Sequence, residues 1–516
     1  MMRVGTGIES LLLDDGHGLF GFGPNGGIGI NVPPGSEEHD TLKVRALYME
    51  HGAQRLLVIG LDLASGSRVV HQALLEGLAK RGHAFAPCEL LVVGTHTHAA
   101  PGHVFGNLYD VFGQRPAGYR EVVAAEIVRR GLFAAQQALA APVECSFATV
   151  RRKLWGAGRN RSMRAFLANF EGELGRWHEA LGLTPPAELA PEDQAVDPHL
   201  DVVAFVARDG GRPLATWATW CCHPASIPSA SVRAYHRDWP GVAVDHLEQG
   251  RAGVPFAMMH QASNGDVTAI PSGALRITTP MARVRELGLR VGAAWADALE
   301  EACDRARAKP VAPPFEVGAT VLDPERAGLP SFEIGQSVVA GSEEADPGLL
   351  VKMLGEARRF PWRASPHRPK LPALGPLQAV LRRHPSLRPS PEHPLWMLRL
   401  GQHVVFASPF EQTTFAAWTT AQSIANAWRL ARGEVVTASP LALAGDYAGY
   451  LTTSAEYDQQ EYEGGHTIYG RDQRQVVERT WLSMVDGRPL DATKARFVRA
   501  DATFDARVRR IVDVLT

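Results

Sequence analysis

Two histidines separated by one residue stand directly behind an apolar run: Leu90-Leu91-Val92-Val93 leads into Gly94-Thr95-His96-Thr97-His98. Histidine is the commonest protein ligand for zinc and the usual acid/base near neutral pH. On an extended backbone, residues i and i+2 point to the same side. The spacing therefore predicts two imidazoles sharing one face at the end of a buried strand. Taken alone, the pair also fits a polar turn. Four other apolar runs end in polar clusters in the same way. Leu61 is followed by Asp62, Cys222 by His223-Pro224-Ala225-Ser226, Met259 by His260 to Thr268, and Ala407 by Ser408-Pro409-Phe410-Glu411. In open α/β sheets ligands gather at the carboxyl ends of strands, so clusters distant in sequence are expected to converge. His96, His223 and Glu411 would then form a two-histidine, one-carboxylate set that suits catalytic zinc with an open position. Such a metal polarises a carbonyl and lowers the pKa of bound water toward about 7. His98, beside it, could move protons. Nineteen histidines and fifty-five acids leave other sets open.

The elements that must position these residues follow from hydrophobic patterning. Strands are expected at Arg55–Leu61, Glu89–Val93, Leu214–Cys222, Phe256–His260 and His403–Ala407, and helices at Tyr119–Leu139, Ala282–Arg307 and Gln412–Ala431. The second helix starts after Pro280 and repeats apolar residues at helical spacing through Val284, Leu287, Val291, Ala294 and Ala298. A last helix is expected near Phe504–Val514. The alternation predicts an α/β (α+β) fold, a layered mixed β-sheet core flanked by helices with the site at strand ends.

With 516 residues the chain has room for roughly two to four domain-sized units. Its 45% hydrophobic and 21% charged residues are those of a globular protein. A net charge of −2 argues against broad nucleic-acid binding. No apolar stretch is long enough for a transmembrane segment, and no secretion signal is visible at the N-terminus. Five cysteines without zinc-knuckle spacing fit reduced thiols and a cytoplasmic location. Between Arg358 and Pro394 there are nine prolines, eight Lys/Arg and one acid, Glu392. That composition predicts a surface excursion, either a solvated loop or else a lid or a contact for an anionic surface or acidic carrier domain.

Several segments resemble motifs of one family, in order from His39 to Gly465. His39-Asp40-Thr41-Leu42-Lys43-Val44-Arg45-Ala46-Leu47 is similar to "HDPLYARAL", and Leu61-Asp62-Leu63 to the following "LDL". Thr95 to Gly102 resembles "THTHSGPG", and Asn160-Arg161-Ser162 with Ala165 to Asn169 resembles "NRSPxAYLxNP". His223-Pro224-Ala225-Ser226 is similar to "HPTS", Asn264 to Thr268 to "GDVSPN", and Pro409 to Thr414 to "PGEFTT". Tyr447 to Thr453 and Gln460 to Gly465 resemble "YxxYVTTxEEYxxQxYEGxST". These are motifs of the neutral (non-lysosomal) ceramidases, zinc amidases that hydrolyse the N-acyl bond of ceramide.

The resemblance implies one zinc per chain, held by His96, His223, Glu411 and Tyr450. It assigns acid/base work to His98, and to Arg161 and Tyr462 the scissile carbonyl and its developing oxyanion. Thr268 stands where the family has serine, and Ala269-Ile270 replaces Pro-Asn. Threonine keeps the hydroxyl but adds a stiff methyl, so attack by a zinc-bound hydroxide, which needs no hydroxyl nucleophile, is the expected chemistry. The chain is read as a catalytic domain over residues 1–516 without the family's C-terminal immunoglobulin-like domain. The expected activity is zinc-dependent cleavage of a lipid-like N-acyl amide. An acyl-transferring or amide-forming enzyme on the same scaffold, another zinc hydrolase acting on an ester or peptide, and a non-catalytic binding protein with a degenerate site remain alternatives. No G-x-S-x-G elbow supports a serine hydrolase.

Overall fold

The structure, a computed structural model, describes residues 1–23, 26–229, 231–250, 253–270, 279–308, 313–345, 353, 359–360, 364–373, 375, 378, 383, 387–490 and 502–515. Its first strands are β1 (Met2–Ser10), the short pair β2 (His17–Gly18) and β3 (Ile28–Gly29), β4 (Lys43–His51), β5 (Gln54–Leu61) and β6 (Leu90–Gly94). Next come β7 (Val143–Lys153), β8 (Arg159–Asn160), β9 (His199–Ala207), β10 (Pro213–Trp220), β11 (Ala257–Gln261) and β12 (Val267–Thr268). The last are β13 (Phe315–Leu322), β14 (His393–Leu400), β15 (His403–Ala407), β16 (Glu411–Gln412), β17 (Thr437–Leu441) and β18 (Tyr450–Leu451).

Eight strands form one sheet in the order β11-β10-β9-β7-β1-β4-β5-β6, and four form another in the order β13-β14-β15-β17. The two sheets share a core. Leu47, Val58, Leu91, Val93, Phe205 and Trp217 of the large sheet pack with Val317, Trp396, Leu398 and Val405 of the small one. Alternate residues of the same strands, such as Ala46, Ile59, Leu90 and Val92, face helices Arg68–Lys80 and Glu121–Ala140 instead. Side chains alternate with period two, so a strand covered on both faces reads as a continuous apolar run. Toward its other end the large sheet packs against Asp238–Gln249 and Pro280–Arg307. Helices Thr414–Arg432 and Gln473–Leu482 cover the small sheet. The result is the expected mixed, layered α/β architecture. Gly5 and Gly7 let Glu121–Ala140 approach β1 backbone to backbone: a Cβ on either would lie about 2 Å from Ala138 O or Ala134 O.

Within the eight- and four-stranded sheets most ladders are antiparallel, but β5–β6, β10–β11 and β15–β17 are parallel. A parallel neighbour needs a crossover, supplied by Arg68–Lys80, Asp238–Gln249 and Thr414–Arg432 respectively. Two of these pairs lie at opposite edges of the large sheet, which curls until they meet. Arg45 of β4 donates to Ala257 O at 3.1 Å, and the Gln261 amide donates to Thr95 O at 3.1 Å. Curling thus brings carboxyl ends that are remote within the sheet to one place.

Expected and observed elements differ at their edges. The strand expected over Leu214–Cys222 ends at Trp220, and Cys221 and Cys222 follow it, buried. The helix expected from Gln412 starts at Thr414, because Glu411 and Gln412 pair with Tyr450 and Leu451. All five cysteines are buried and none is in a disulfide. Parts of 358–394 lie outside the described residues, but the described part is not all surface. His367 and Lys370 are buried, and the Lys370 ammonium donates to Glu333 O and Thr467 O at 3.0 and 2.7 Å. Among the described residues no helix is long and apolar enough to cross a membrane.

Candidate active site

His96 and His98 follow β6, His223 follows β10, Asn264 follows β11, and Glu411 follows β15. All of these are carboxyl ends of the parallel pairs. Glu411 and Tyr450 are direct neighbours in the parallel β16–β18 bridge. The His96–His98 segment is not extended as its spacing predicts. His96 has φ +73°, a left-handed conformation uncommon outside glycine. That twist, braced by Thr95 N to Leu61 O and His96 N to Leu63 O, turns the segment over the sheet edge. The two rings still meet, with Nε2 atoms 3.3 Å apart.

The Nε2 atoms of His96 and His223 lie 3.1 and 2.9 Å from Oε2 of Glu411. Tyr450 OH lies 3.3 Å from His223 Nε2. Each of these two imidazoles directs Nδ1 at a backbone carbonyl, Ala64 O for His96 and Asn264 O for His223, both at 2.7 Å. A carbonyl only accepts, which places a proton on Nδ1 and a lone pair on Nε2 in the neutral ring. Two nitrogen lone pairs and a carboxylate oxygen at this range repel one another unless a proton or a cation is shared among them. The separations of 2.9 to 3.3 Å are close to the edge, about 3.3 Å, of a tetrahedron with bonds of about 2.0 Å. The donor set therefore fits a small divalent metal. His98 belongs to the same cluster, since one nitrogen from each of His96, His98 and His223 falls within 4.8 Å of the others.

Burial favours a neutral carboxyl at Glu411, but His96 and His223 outweigh it and hold the group well below the usual carboxylate range. Burial, then the neighbouring His96 and His223, holds His98 well below the ordinary imidazole value. Its Nδ1 has no hydrogen-bond partner, and its ring stacks at a tilt on Phe22, 4.9 Å between centroids. Burial and then Glu411 push the Tyr450 phenol up, with Arg161 opposing.

Arg161 is nearly saturated within the protein. Its Nε donates to Glu463 at 3.1 Å, Nη1 to Glu344 at 2.8 Å, and Nη2 to Gly265 O at 2.8 Å and Tyr450 OH at 3.2 Å. One guanidinium neutralises one carboxylate here. Burial raises both acids, yet Arg161 holds Glu344 at about 2, while burial wins at Glu463 and pushes it up to about 7. Tyr462, at the start of helix Tyr462–His466, sets its ring 5.4 Å from that of Tyr450 and under the Arg161 guanidinium at 5.6 Å. Thr268 is fully buried in β12, where its hydroxyl accepts from Ile270 N at 3.2 Å and helps hold Glu344 ionised.

A cavity of about 390 Å³ opens beside this cluster, lined largely by apolar side chains including Phe20, Phe22, Leu108 and Ile334, and reaching Tyr447 and Tyr462. That volume is in the range of small-molecule sites.

The profile of the neutral/alkaline non-lysosomal ceramidase N-terminal region matches residues 39–280 and 338–478. The chain belongs to the neutral/alkaline non-lysosomal ceramidase family. It is 26% identical over 545 residues to neutral ceramidase of Mycobacterium tuberculosis, a match spanning 95% of this chain and 78% of that one. It is 26% identical over 481 residues to neutral ceramidase of Pseudomonas aeruginosa, spanning 85% and 66% of the two chains. The fold is similar to a solved structure described as ceramidase complexed with C2, with a TM-score of 0.74, 22% identity and coverage of 97% and 79%. It is also similar to the crystal structure of the Pseudomonas aeruginosa neutral ceramidase, with a TM-score of 0.71, 20% identity and coverage of 95% and 77%.

All eight residues singled out from the sequence lie within the segments that match the ceramidase profile. The structure brings His96, His98, His223, Glu411 and Tyr450 together and places Arg161, Tyr462 and Thr268 around them. Sequence reasoning missed Glu344, Glu463, Tyr447 and Asn264 as parts of the site. Tyr447 and Glu463 sit inside quoted ceramidase motifs, so that signal was available. Glu344 sits in Gly341-Ser342-Glu343-Glu344-Ala345, where no pattern marks it.

Proposed function

We propose that this chain hydrolyses the N-acyl bond of a ceramide-like lipid, using one zinc-type ion held by His96, His223, Glu411 and Tyr450. The observation that carries this reading is the cluster of four buried metal-donor atoms beside a largely apolar cavity. The names of the ceramidase relatives support the amide and the lipid. When bound, such an ion polarises a carbonyl and lowers the pKa of water.

The chain's own residues divide the rest of the work. His98 is a neutral imidazole beside His96, placed to take the proton of the attacking water and return it to the departing nitrogen. Water adds to the acyl carbon, the C–N bond breaks, and a fatty acid and an amine leave. Arg161, engaged by Glu344, Glu463 and Gly265 O, orients the Tyr450 phenol. Tyr462, at the cavity wall, is the group left to donate to the carbonyl oxygen as charge develops there. The apolar wall excludes water from all but the reacting end.

Metal analysis combined with an N-acyl amide panel tests this. Zinc near one per chain is expected, with His96→Ala losing metal and activity, and His98→Ala losing activity while keeping metal. Absence of stoichiometric metal together with absence of hydrolysis of any amide would leave the binding-protein alternative standing.

A further inference from the structure

One short segment, residues 335–345, stands between two hollows. Val338, Val339, Gly341, Ser342 and Ala345 line the apolar cavity. Ser337, Ala340, Gly341, Ser342 and Glu343 line a second hollow of about 130 Å³, which reaches Arg161 and Tyr462. Val338, Val339 and Ala340 are half-buried, so the helix Ser337–Ala340 has little apolar packing to hold it. Regions with few buried apolar contacts are the ones that open locally. The segment is fixed at its ends instead. Gly335 N donates to Gly465 O at 2.8 Å and Gln336 N to Leu371 O at 2.6 Å. Gly341, with φ +74°, turns the chain out of the helix. Beyond it, two consecutive glutamates meet two arginines spaced two residues apart. Glu343 pairs with Arg159, and Glu344 pairs with Arg161 at 2.8 Å.

We propose that residues 335–345 are a flap that closes over the cavity, and that Glu344, carried on it, is a positioning residue that aims Arg161 at Tyr450 only when the flap is shut. The two ion pairs divide the work. Glu343 is 40% exposed, so its pair with Arg159 is a weak outer catch. Glu344 and Arg161 are fully desolvated, and their pair forms the inner catch. A guanidinium is a rigid planar fork, so the hold of Glu344 on Nη1 fixes the direction of Nη2, which donates to Tyr450 OH at 3.2 Å. When the flap lifts, Glu344 returns to water, and Arg161 keeps Glu463 at 3.1 Å as its counter-ion. Opening therefore strands no buried cation, the usual cost of breaking such a pair. Access to the cavity and the readiness of the donor cluster are thus joined in one contact. The flap goes beyond the proposed amidase reading, whereas its effect on turnover rests on that reading.

Amide hydrogen exchange followed by mass spectrometry on the intact, metal-loaded chain tests the flap. Amides of 336–345 are expected to exchange about tenfold or more faster than those of β13. Glu343→Gln breaks only the outer catch and should speed exchange in 336–345 by about two- to fivefold, leaving β13 unchanged. Exchange in 336–345 as slow as in β13, or untouched by Glu343→Gln, overturns the flap. Kinetics on an N-acyl amide test the positioning role. Glu344→Gln should lower kcat by about tenfold or more while KM moves less than about threefold, and Glu344→Asp, which keeps the charge, should recover part of the loss. A wild-type kcat in Glu344→Gln overturns that role, and if this variant fails to fold, Glu344→Asp with KM altered and kcat unchanged does so. Absence of hydrolysis of any amide removes the positioning role with the amidase reading and leaves the flap to the exchange result. Hydrolysis with uniform exchange removes the flap and leaves the amidase reading standing.

Discussion

Tyr447 donates its phenolic proton to Oε1 of Glu411 at 2.7 Å, which leaves Oε2 to face His96 and His223 at 3.1 and 2.9 Å. One carboxylate is thus divided between a fixed hydrogen bond and the donor cluster. Groups that orient metal ligands typically cost 10- to 100-fold in metal affinity when removed, a range of about one to two decades. Tyr447→Phe keeps the ring, which packs on Tyr109 at 4.5 Å, and deletes only the hydroxyl. Zinc affinity, measured by chelator competition, should fall by about one decade or more with little change in thermal stability of the metal-loaded protein. Unchanged affinity would show that Glu411 needs no such tether.

Arg161 is the counter-ion of Glu344, with side chains 3% and 1% exposed. Removing one member of a buried pair is expected to cost about 3–5 kcal/mol, because the other charge is left uncompensated. Arg161→Met should lower denaturant stability at pH 7 by about that amount. The pH dependence gives a sharper test. In the wild type, Glu344 is held at about 2 against an ordinary 4.5, so its contribution is present above 4.5 and is lost as pH falls toward 2. Without Arg161, burial raises the Glu344 carboxyl instead. Acidification from pH 7 to 5 should then narrow the gap between variant and wild type. A gap independent of pH would mean that Arg161 acts through packing.

Buried neutral histidines away from the site set the acid limit. Burial lowers His71 to about 4, and His260 and His393 to about 3, from an ordinary 6.5. A group with a depressed folded pKa stabilises above its unfolded value and loses that contribution as pH falls through the window between the two. The urea midpoint should therefore decline as pH drops from about 6.5 toward 4, and His393→Gln should flatten part of the slope. A flat profile in this window would count against neutral burial of these rings.

Thr268 accepts a hydrogen bond from Ile270 N at 3.2 Å and neighbours Glu344. Its hydroxyl is thus tied into the surroundings of Arg161. Thr268→Ala should keep amidase turnover within about tenfold of wild type, the loss of one or two hydrogen bonds. Complete inactivity with metal retained would instead make the hydroxyl a reacting group.

Strand ends were the legible part of this molecule. Each donor follows a run of buried residues, because strands covered on both faces must be apolar throughout and polar chemistry can begin only where they stop. The order of motifs from His39 to Gly465 pointed to the family that the profile match bears out. Helix Pro280–Arg307 was legible from Pro280 and its apolar spacing, while its cap, the Thr279 hydroxyl that accepts from Ala282 N, came from the structure. The basic composition of 358–394 misled in part, since Lys370 is buried against backbone carbonyls rather than offered to an outside partner.

The sequence by itself marked the residues proposed to carry chemistry and the strands that deliver them, because residue type and hydrophobic period are local properties of the chain. Only the tertiary structure decided how they meet. The left-handed turn at His96, the curl that joins Gln261 to Thr95 and the pairing of Arg161 with Glu344 all depend on contacts between remote segments. Such contacts arise from the packing of two sheets and their helices against one another, and no local pattern encodes the distance between two residues brought together in that way.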